Sequence, residues 1–552
     1  MSSQSLDRWL LVNYAGYPFA ANSLFPDNGL ANLAGVLIGA GKSVEILDYA
    51  TVTTLDRFSS PALTRRLLRT WQSTFAPGDK PVRPAAKLRA LVNLRYADFC
   101  RSRRQACVLG EIEEDILRTI RHRDIQAVGF KLWNGDGWEG SAEIAARIRR
   151  ECLNVRIFGG GPQVDFFLGR ILQARPAFDA LVCGEGEETI LLLAETGADP
   201  SSYGTIPNLL FARDGQIMQT ETRMVADLDA LPMPVYDAET YPAMRGDEKI
   251  RILVIDESRG CRNNCAFCIH PVKSNRNLRM KSTDKLLAEI ANMRDRHGIH
   301  AFRFAGSCTP YDLLNRFANE VLARNLDVTY SSFAHVRESE SADFRAMRRS
   351  GCVALFFGVE SGSQEVLDLM GKGVTMEQTE RAFANAKAAG VFSVASLIVP
   401  APGDTAETQE ETLAALRRMQ PDGVSIQPPG VFPRTPWFNH PERYGISLPD
   451  PDAYVREILG WKIRVLLPTS FWSDLPVRID GRRFKSVLGA TAEFSRRVAA
   501  LGLVTSVSDD SVLMSACAKM DVREFRDESR LAFLTGDASR VRHLVEKINA
   551  GT

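Results

Sequence analysis

The sequence predicts an α/β protein with two consecutive α/β domains followed by a helical C-terminal segment. Two observations support this prediction. Short apolar runs alternate with segments of helical periodicity between residues 8 and 200, and again between residues 250 and 427, a pattern typical of parallel sheets built from βαβ units. The alternation stops near Pro449, after which the chain shows helical periodicity alone.

The first alternating region is expected to form a doubly wound sheet within residues 1–225. Its predicted strands are 9–13, 43–48, 127–132, 155–159 and 178–183, and its clearest predicted helices are 28–41 and 140–152. An arginine-rich, helical insertion interrupts the alternation at about residues 57–120. A proline-rich stretch then predicts a linker at residues 226–245.

Glycine is concentrated where two of these strands end. One segment is 159–164, with Gly160, Gly161 and Pro162, and the other is 184–188. Glycine lets the backbone approach a ligand closely and adopts left-handed turns, and such sheets bind ligands at the carboxyl ends of their strands. Glycine alone leaves two interpretations open, a ligand site or tight turns without a ligand.

The second alternating region predicts a partial β/α barrel over residues 246–445. Its six predicted strands are 250–255, 300–305, 329–334, 354–358, 392–399 and 423–427, and its predicted helices are 282–297, 312–324, 341–350, 376–389 and 407–418. Thr283 and Asp284 are the expected caps of the first of these helices. Barrels of this kind carry their sites on loops at the carboxyl ends of the strands.

Three cysteines follow the first barrel strand at a spacing that indicates a metal site. Cys261, Cys265 and Cys268 form a C-x3-C-x2-C motif on the loop that leaves this strand. Thiolate sulfur selects zinc or iron–sulfur clusters. Zinc would require a fourth ligand, for which His270 is the candidate, whereas a 4Fe-4S cluster would use the three thiolates and leave one iron open.

Composition excludes several classes of protein. The chain has 552 residues, a formal net charge of +1 and 45% hydrophobic residues, so no global charge favours nucleic acid or an anionic membrane. Its first residues lack the pattern of a signal peptide, and no apolar run approaches the length of a membrane span. Ten cysteines, seven of them scattered, fit a reducing compartment. We therefore expect a cytoplasmic protein that binds neither membranes nor nucleic acid.

The arginine-rich segment 57–105 leaves a local alternative open. It carries clustered arginines such as Arg65, Arg66 and Arg69, so a nucleic-acid patch is conceivable. Aromatic residues are sparse between them, which favours a solvated helical face.

The cysteine segment, including Phe267 before the third cysteine, resembles the cluster motif of the radical S-adenosylmethionine superfamily. The resemblance implies a 4Fe-4S cluster whose open iron is chelated by S-adenosylmethionine. It extends in order along the later strand ends. The residues that it assigns to S-adenosylmethionine are Phe267, Ala305, Gly306, Arg337, Glu360, Ser361 and Pro402. Glu360, together with Ser361, is expected at the ribose, because a carboxylate is a suitable acceptor for two vicinal hydroxyls.

The N-terminal region is similar to the cobalamin-binding, Rossmann-like domain that precedes the barrel in one branch of that superfamily. The residues that carry this resemblance are Asn28, Gly29, Gly160, Gly161, Pro162, Gly184, Glu185, Gly186 and Glu187. The chain lacks the D-x-H-x-x-G motif after its first strand, so we expect base-off cobalamin without a histidine ligand. His122, the first histidine, is expected at the surface, and the loop 131–138 is expected to face the corrin.

Other polar residues near the expected site keep simpler interpretations. His270 and His335 are expected to be structural or to position substrate, and Cys352 to be a small buried residue. A catalytic role for Cys308 stays open, because it follows a strand end.

The C-terminal residues 446–552 are expected to form a helical cap over the substrate pocket, with helices at 454–466, 484–501, 511–518 and 539–550. The resemblance implies a cobalamin-dependent radical S-adenosylmethionine methyltransferase that acts on an unactivated carbon, or on phosphinate phosphorus, of a small biosynthetic intermediate. It also implies an external electron donor of the flavodoxin or ferredoxin type. The alternative is a rearrangement, cyclisation or oxidation without net methyl transfer.

Overall fold

The structure, a computed structural model, describes residues 5–74 and 84–552. Part of the predicted insertion, residues 75–83, and the first four residues examined for a signal peptide lie outside the described residues. Within the described part of the chain, two seven-stranded sheets form the framework of the molecule. No helix in it is long and apolar enough to cross a membrane.

The N-terminal sheet contains every strand that the alternation predicts. Its strands are β1 (Arg8–Asn13), β2 (Ser43–Asp48), β3 (Ala127–Lys131), β4 (Arg156–Gly160), β5 (Ala180–Val182), β6 (Leu209–Arg213) and β7 (Gln216–Gln219). They lie in the order β2-β1-β3-β4-β5-β6-β7. The first five are parallel, whereas β6 and β7 form an antiparallel hairpin that the sequence pattern did not predict.

Helices cover both faces of this sheet. They are α1 (Asn28–Gly39), α2 (Val52–Phe58), α3 (Pro61–Thr74), α4 (Pro84–His122), α5 (Asp136–Glu151), α6 (Pro162–Phe167), α7 (Arg170–Ala174) and α8 (Glu187–Thr196). Trp9 and Leu11 belong to the core on the side of α1 and α8, whereas Leu10 and Val12 belong to the core on the side of α4 and α5. This alternation confirms the doubly wound fold, because successive side chains of a strand point to opposite faces.

The predicted insertion is helical where the structure describes it, but its last part belongs to the core of the N-terminal domain. The second half of α4 buries Val108, Ile112 and Ile116 in the core on one face of the sheet. It therefore serves as the crossover helix before β3. His122 lies exposed at the end of α4, at the surface as expected.

The six predicted strands of the barrel are present, with a short hairpin on the loop after the first. The strands are β8 (Ile252–Ile255), β9 (Ser258–Arg259), β10 (Arg279–Met280), β11 (Ala301–Phe304), β12 (Thr329–Ala334), β13 (Cys352–Glu360), β14 (Phe392–Ile398) and β15 (Gly423–Gln427). β9 pairs with β10 to form the hairpin. A small antiparallel sheet of β16 (Ile446–Ser447), β17 (Arg478–Ile479) and β18 (Arg482–Arg483) precedes β19 (Val504–Thr505). β19 pairs in parallel with β15 and adds a seventh strand to the barrel sheet.

The helices that follow the linker are α9 (Ile269–Lys273), α10 (Thr283–His297), α11 (Tyr311–Ala323), α12 (Phe344–Arg349), α13 (Gln364–Leu369), α14 (Met376–Ala389), α15 (Ala406–Met419), α16 (Pro436–Asn439), α17 (Pro451–Leu459), α18 (Phe484–Ala499), α19 (Asp509–Cys517), α20 (Val522–Thr535) and α21 (Ala538–Asn549). The expected caps of α10 were wrong by one residue, because the Ser282 hydroxyl accepts the N–H of Lys285 at 3.1 Å. The predicted helix 341–350 begins only at Phe344, after a short 3-10 turn.

The first part of the C-terminal segment contacts the N-terminal domain, and its last part packs on the barrel. The predicted helix 454–466 ends at Leu459, whose carbonyl accepts the side-chain amide of Gln163 on the N-terminal domain at 3.1 Å. Helix α19 lies across the barrel strands, where Asp509 is fully buried and binds Arg303 of β11 at 2.8 Å. Helix α20 was not predicted. Residues 504–549 therefore complete the barrel and its helical covering, and the role of residues 446–503 as a substrate cap stays a prediction.

The Arg303–Asp509 pair gives a test of this arrangement. Replacing Asp509 with alanine leaves the buried guanidinium of Arg303 without its counter-charge, which typically costs roughly 3–5 kcal/mol. We expect Asp509→Ala to lower the urea midpoint of the barrel clearly. The exposed pair partner Asp527 is the control, and Asp527→Ala should change stability by less than about 0.5 kcal/mol. Equal midpoints for the two variants would contradict the role assigned to α19.

Candidate cofactor site between the two domains

A cavity of about 350 Å³ lies between the carboxyl ends of the N-terminal strands and the start of the barrel. All three predicted segments of the N-terminal domain line it, at residues 28–29, 160–162 and 184–187. The barrel contributes residues 256 and 258–260, with Ala305 after β11. Ala305, which the sequence assigned to S-adenosylmethionine, therefore shares a cavity with the residues assigned to cobalamin.

The inner part of this cavity is an apolar crevice between the sheet and helices α1 and α8. Its lining includes Trp9, Leu11, Leu30, Leu33, Phe158, Ile190 and Leu193. The mouth is polar and faces the barrel. A ligand that fits this shape would have one flat apolar part and one part rich in hydrogen-bonding groups.

Two of the predicted glycines have backbone conformations that other residues rarely adopt. Gly161 has a φ of 100° and Gly184 a φ of 86°. A side chain at Gly184 would meet no atom within 4 Å, so the backbone there borders open space. At these turns the backbone itself borders the cavity, without a side chain in between. Glycine adopts such turns without steric cost.

Two arginines of the barrel face each other beside the cavity. Arg259 of β9 is the register partner of Arg279 of β10, and like charges directly opposite each other destabilise a strand pair. Carboxylates of the N-terminal domain compensate them. Arg279 donates to both oxygens of Glu185, at 2.6 and 2.9 Å, and Arg259 donates to Oε1 of Glu187 at 2.6 Å.

These contacts change the interpretation of the two glutamates predicted to bind cobalamin. Glu185 also accepts the N–H of Val225 at 2.7 Å, so both of its oxygens are engaged within the protein. Glu187 is buried, and its Oε2 has no hydrogen-bond partner although it lines the cavity. Glu185 therefore joins the domains, whereas Glu187 keeps one oxygen free for a ligand.

Asp256, directly after β8, is a second bridge between the domains. Its carboxylate accepts the side-chain amides of Asn28 at 2.8 Å and Asn32 at 3.0 Å, both on α1. It also accepts Arg259 at 3.0 Å. Burial raises the pKa of Asp256, but the charges of Arg259 and Lys281 outweigh burial and hold the pKa below its usual range. The carboxylate is therefore ionised, and predicted site residue Asn28 is committed to this bridge.

The loop expected to face the corrin reaches the cavity through only part of its length. Lys131 lines the cavity, and its ammonium lies 2.6 Å from the Asp27 carboxylate. Trp133 donates its indole N–H to Asn13 at 2.7 Å and is not among the residues that line the cavity.

The cysteine loop is packed between the barrel and the segment after β15. Cys261 and Cys265 are buried. The N–H of Ala266 donates to the carbonyl of Met370 at 2.8 Å, and the ring of Phe267 packs on Trp437 with a centroid distance of 5.6 Å. Phe267 therefore fixes the loop against the protein core.

The arrangement does not favour the zinc alternative. In residues 5–74 and 84–552, no three histidine, cysteine or carboxylate side chains are placed to hold a single metal ion. His270 is directed to the Ser307 hydroxyl, with Nδ1 and Oγ 2.7 Å apart. Burial raises the pKa of the Cys268 thiol to about 12. Three thiols on one loop without a fourth ligand match the ligand set of a 4Fe-4S cluster that leaves one iron open.

Glu360 and Lys372 form a buried ion pair at the end of β13. The Lys372 ammonium donates to Oε1 of Glu360 at 2.8 Å, and both side chains are more than nine-tenths buried. Glu360 has a φ of 67°, a strained value that directs its side chain out of the strand. Burial opposes the charged form of Lys372, but Glu360 and then Cys265 raise its pKa. Lys372 was missed by the sequence analysis, although it lies between two glycines.

Three other predicted S-adenosylmethionine contacts are engaged within the protein. The N–H of Gly306 donates to the carboxylate of Glu257 at 2.9 Å. The Ser361 hydroxyl lies 3.3 Å from that of Thr412 on α15. Arg337 donates to the carbonyls of Gly373 at 2.8 Å and Lys372 at 3.2 Å. The expectation that Ser361 assists Glu360 stays a prediction.

The two remaining residues assigned to S-adenosylmethionine, Ala305 and Pro402, lie on loops that follow strands of the barrel. Ala305 lines the cavity beside Ser307. Pro402 is buried in the turn after β14, where Asp404 accepts the N–H of Ala401 at 3.0 Å. Glu257, which binds Gly306 and also the Thr309 hydroxyl at 2.6 Å, was missed, because its position directly before the cysteine motif carries no signal of its own.

Comparisons with known proteins agree with this geometry. Residues 257–416 match the Radical SAM superfamily, and residues 85–194 match the B12 binding domain. The chain is 26% identical over 328 residues to an uncharacterized methyltransferase of Pyrococcus horikoshii, covering 58% of this chain and 70% of that protein. It is 27% identical over 296 residues to the anaerobic magnesium-protoporphyrin IX monomethyl ester cyclase of Rubrivivax gelatinosus, covering 51% of this chain and 52% of the cyclase.

The fold is also similar to a solved structure. The radical S-adenosylmethionine methyltransferase TsrM from Kitasatospora setae, with cobalamin and a 4Fe-4S cluster bound, aligns with a TM-score of 0.61. The alignment covers 98% of this chain and 99% of that chain at 16% identity, which shows the shared fold. The chain is thus an enzyme of the radical S-adenosylmethionine class. It carries a B12-binding domain before its radical SAM domain.

His335, at the end of β12, gives a pH-dependent test of the site. Burial, with Lys372 and Arg337 nearby, lowers the pKa of His335 to about 3, and its Nε2 is buried without a partner. The folded protein then binds fewer protons than the unfolded chain, whose histidine pKa is about 6.5. This histidine should therefore make stability fall as pH drops from about 6.5 towards 3, by up to about 1.4 kcal/mol per pH unit.

The variant His335→Gln should reduce the slope of melting temperature against pH between pH 6.5 and 4.5. Between pH 7.5 and 8.5 the two proteins should show the same slope, because the imidazole is neutral in both states there. An unchanged slope at the lower pH would show that this side chain is accessible to protons in the folded protein.

Proposed function

We propose that this protein is a cobalamin-dependent radical S-adenosylmethionine methyltransferase acting on a small biosynthetic intermediate. The observation that carries the proposal is the shared cavity, because the glycine turns of the B12-binding domain and the residues beside the cysteine loop line the same space. A methyl donor held by one domain and a radical generated by the other would then meet at the mouth. The acceptor is an unactivated carbon or a phosphinate phosphorus.

The cluster would be held by Cys261, Cys265 and Cys268. When bound, the cluster, S-adenosylmethionine and cobalamin supply radical initiation and a transferable methyl group. The protein contributes position and charge. Lys372 fixes one oxygen of Glu360 at 2.8 Å, Glu360 would accept the ribose hydroxyls, and the buried ammonium would offset the negative charge of the cluster.

The apolar crevice supports base-off cobalamin without a histidine ligand. It offers the detached base of the cofactor an apolar site between the sheet and helices α1 and α8. Among the described residues that line the cavity, the only histidine is His270, which lies on the barrel side and pairs with Ser307. On the sheet side, no described residue that lines the cavity is a histidine.

The second candidate function is an oxidation, cyclisation or rearrangement without net methyl transfer. The similarity to the magnesium-protoporphyrin cyclase supports it, because the name of that relative, which matches over 296 residues, describes ring closure. Both candidates require the same cofactors and an external electron donor of the flavodoxin or ferredoxin type.

Product analysis separates the two candidates. Reconstituted protein should be incubated anaerobically with S-adenosylmethionine, a low-potential reductant, hydroxocobalamin and candidate intermediates, with masses read by mass spectrometry. Formation of S-adenosylhomocysteine together with 5′-deoxyadenosine and a product heavier by one methyl group is expected. Deoxyadenosine without S-adenosylhomocysteine would favour the second candidate and contradict methyl transfer.

Cysteine variants test the cluster assignment. Cys265→Ala should abolish the iron–sulfur absorption of reconstituted protein and deoxyadenosine formation. Cys352 is the matched control, because it is buried at the start of β13 and its thiol donates to the carbonyl of Ala354 at 3.7 Å. Cys352→Ala should retain both properties. Zinc bound in place of iron in the unmodified protein would refute the assignment.

A further inference from the structure

We propose that Glu187 serves two cofactor sites at once: its Oε1 fixes Arg259 at the base of the cysteine loop, and its Oε2 accepts an amide N–H of bound cobalamin. The inference rests on the proposed cobalamin site. It makes Arg259, a residue of the barrel domain, a positioning residue for the cofactor of the other domain.

Arg259 stands at the start of the cysteine loop, two residues before Cys261. Its guanidinium contacts three carboxylates, at 2.6 Å from Glu187, 3.0 Å from Asp256 and 3.8 Å from Glu185. Its side chain is 14% exposed. A guanidinium held by several carboxylates has a fixed direction, so the path of the chain into the loop depends on where those carboxylates stand.

The hairpin that carries Arg259 is short and has little stability of its own. It pairs only two residues on each strand, and Arg259 faces Arg279 across it. This like-charged pair is tolerated because Glu185 and Glu187 of the B12-binding domain bind the two arginines. The conformation of the hairpin is therefore set from the other domain.

Glu187 has an unused acceptor at the cavity. Its side chain is 9% exposed, and Oε2 has no hydrogen-bond partner within the described residues. A buried carboxylate oxygen in such a position needs a hydrogen-bond donor. The periphery of the corrin carries acetamide and propionamide groups, whose N–H donors match it.

A ligand that binds Oε2 would restrict the carboxylate and, through Oε1, Arg259. Cobalamin and the ordered cysteine loop should then favour each other, and such coupling is reciprocal for binding free energies. The cluster should tighten cobalamin binding, and removal of the cluster should weaken it.

Titration with hydroxocobalamin tests this coupling. The dissociation constant should be measured by quenching of tryptophan fluorescence, for protein with its cluster and for protein from which the cluster has been removed. We expect the unmodified protein to bind at least about threefold more tightly with its cluster. Glu187→Gln removes one of the three carboxylates that hold Arg259 and leaves a single acceptor oxygen for two roles, so it should weaken binding about tenfold or more and remove the dependence on the cluster.

Two further variants complete the test. Arg259→Lys keeps the charge but cannot span three carboxylates, so it should also reduce the dependence on the cluster. Glu188→Gln is the matched control, because Glu188 is the next residue, is 43% exposed and pairs with Arg223. It should behave like the unmodified protein in both states.

The outcomes separate this inference from the proposed function. Tight binding by Glu187→Gln, or an equal effect of cluster removal in that variant and in the unmodified protein, would overturn the inference alone. Absence of hydroxocobalamin binding by the unmodified protein would overturn the proposed function together with the inference. Circular dichroism and melting temperature of each variant identify any loss of folding, in which case the Arg259→Lys titration decides.

Discussion

The arrangement of the site depends on one electrostatic constraint, the two arginines that face each other on the hairpin next to the cysteine loop. Arg259 and Arg279 would repel each other in an isolated barrel domain. Glu185 and Glu187, on the turn after β5 of the N-terminal domain, bind them at 2.6 Å each. Since buried charges require partners, the N-terminal domain supplies counter-charges for the hairpin beside the cysteine loop, in addition to Asp256 of the barrel.

The same principle organises the interior of the barrel. Glu257 accepts the N–H of Gly306 and the Thr309 hydroxyl, which joins the end of β8 to the loop after β11. Lys372 binds Glu360 beside the cysteine loop. These buried polar groups are satisfied within the protein, so they form a rigid frame. Among the buried polar atoms of the described residues that lack a partner, Oε2 of Glu187 belongs to a residue that lines the cavity.

Much of the fold could be predicted from the sequence, because apolar periodicity reports local structure directly. The strands 43–48, 329–334 and 423–427 are found with the predicted bounds. The errors fall where the apolar pattern is weak, or where the same pattern fits both a helix and an irregular segment. The segment 460–466 has the apolar spacing of a helix, but it follows the surface of the N-terminal domain without helical structure. Strand β19 is too short to be recognised before its pairing with β15 is known.

The sequence by itself determined which residues can carry chemistry, since the C-x3-C-x2-C spacing and the glycine turns are local and each has a chemical meaning. Tertiary structure decided how those residues are used. Glu185 and Glu187 are alike in sequence, yet one is consumed in joining the domains and the other keeps a free oxygen. Ser361 and Arg337 are turned to partners within the barrel. The physical reason is that a polar side chain is committed by its nearest partner in space, and Arg259 lies 72 residues from Glu187 along the chain.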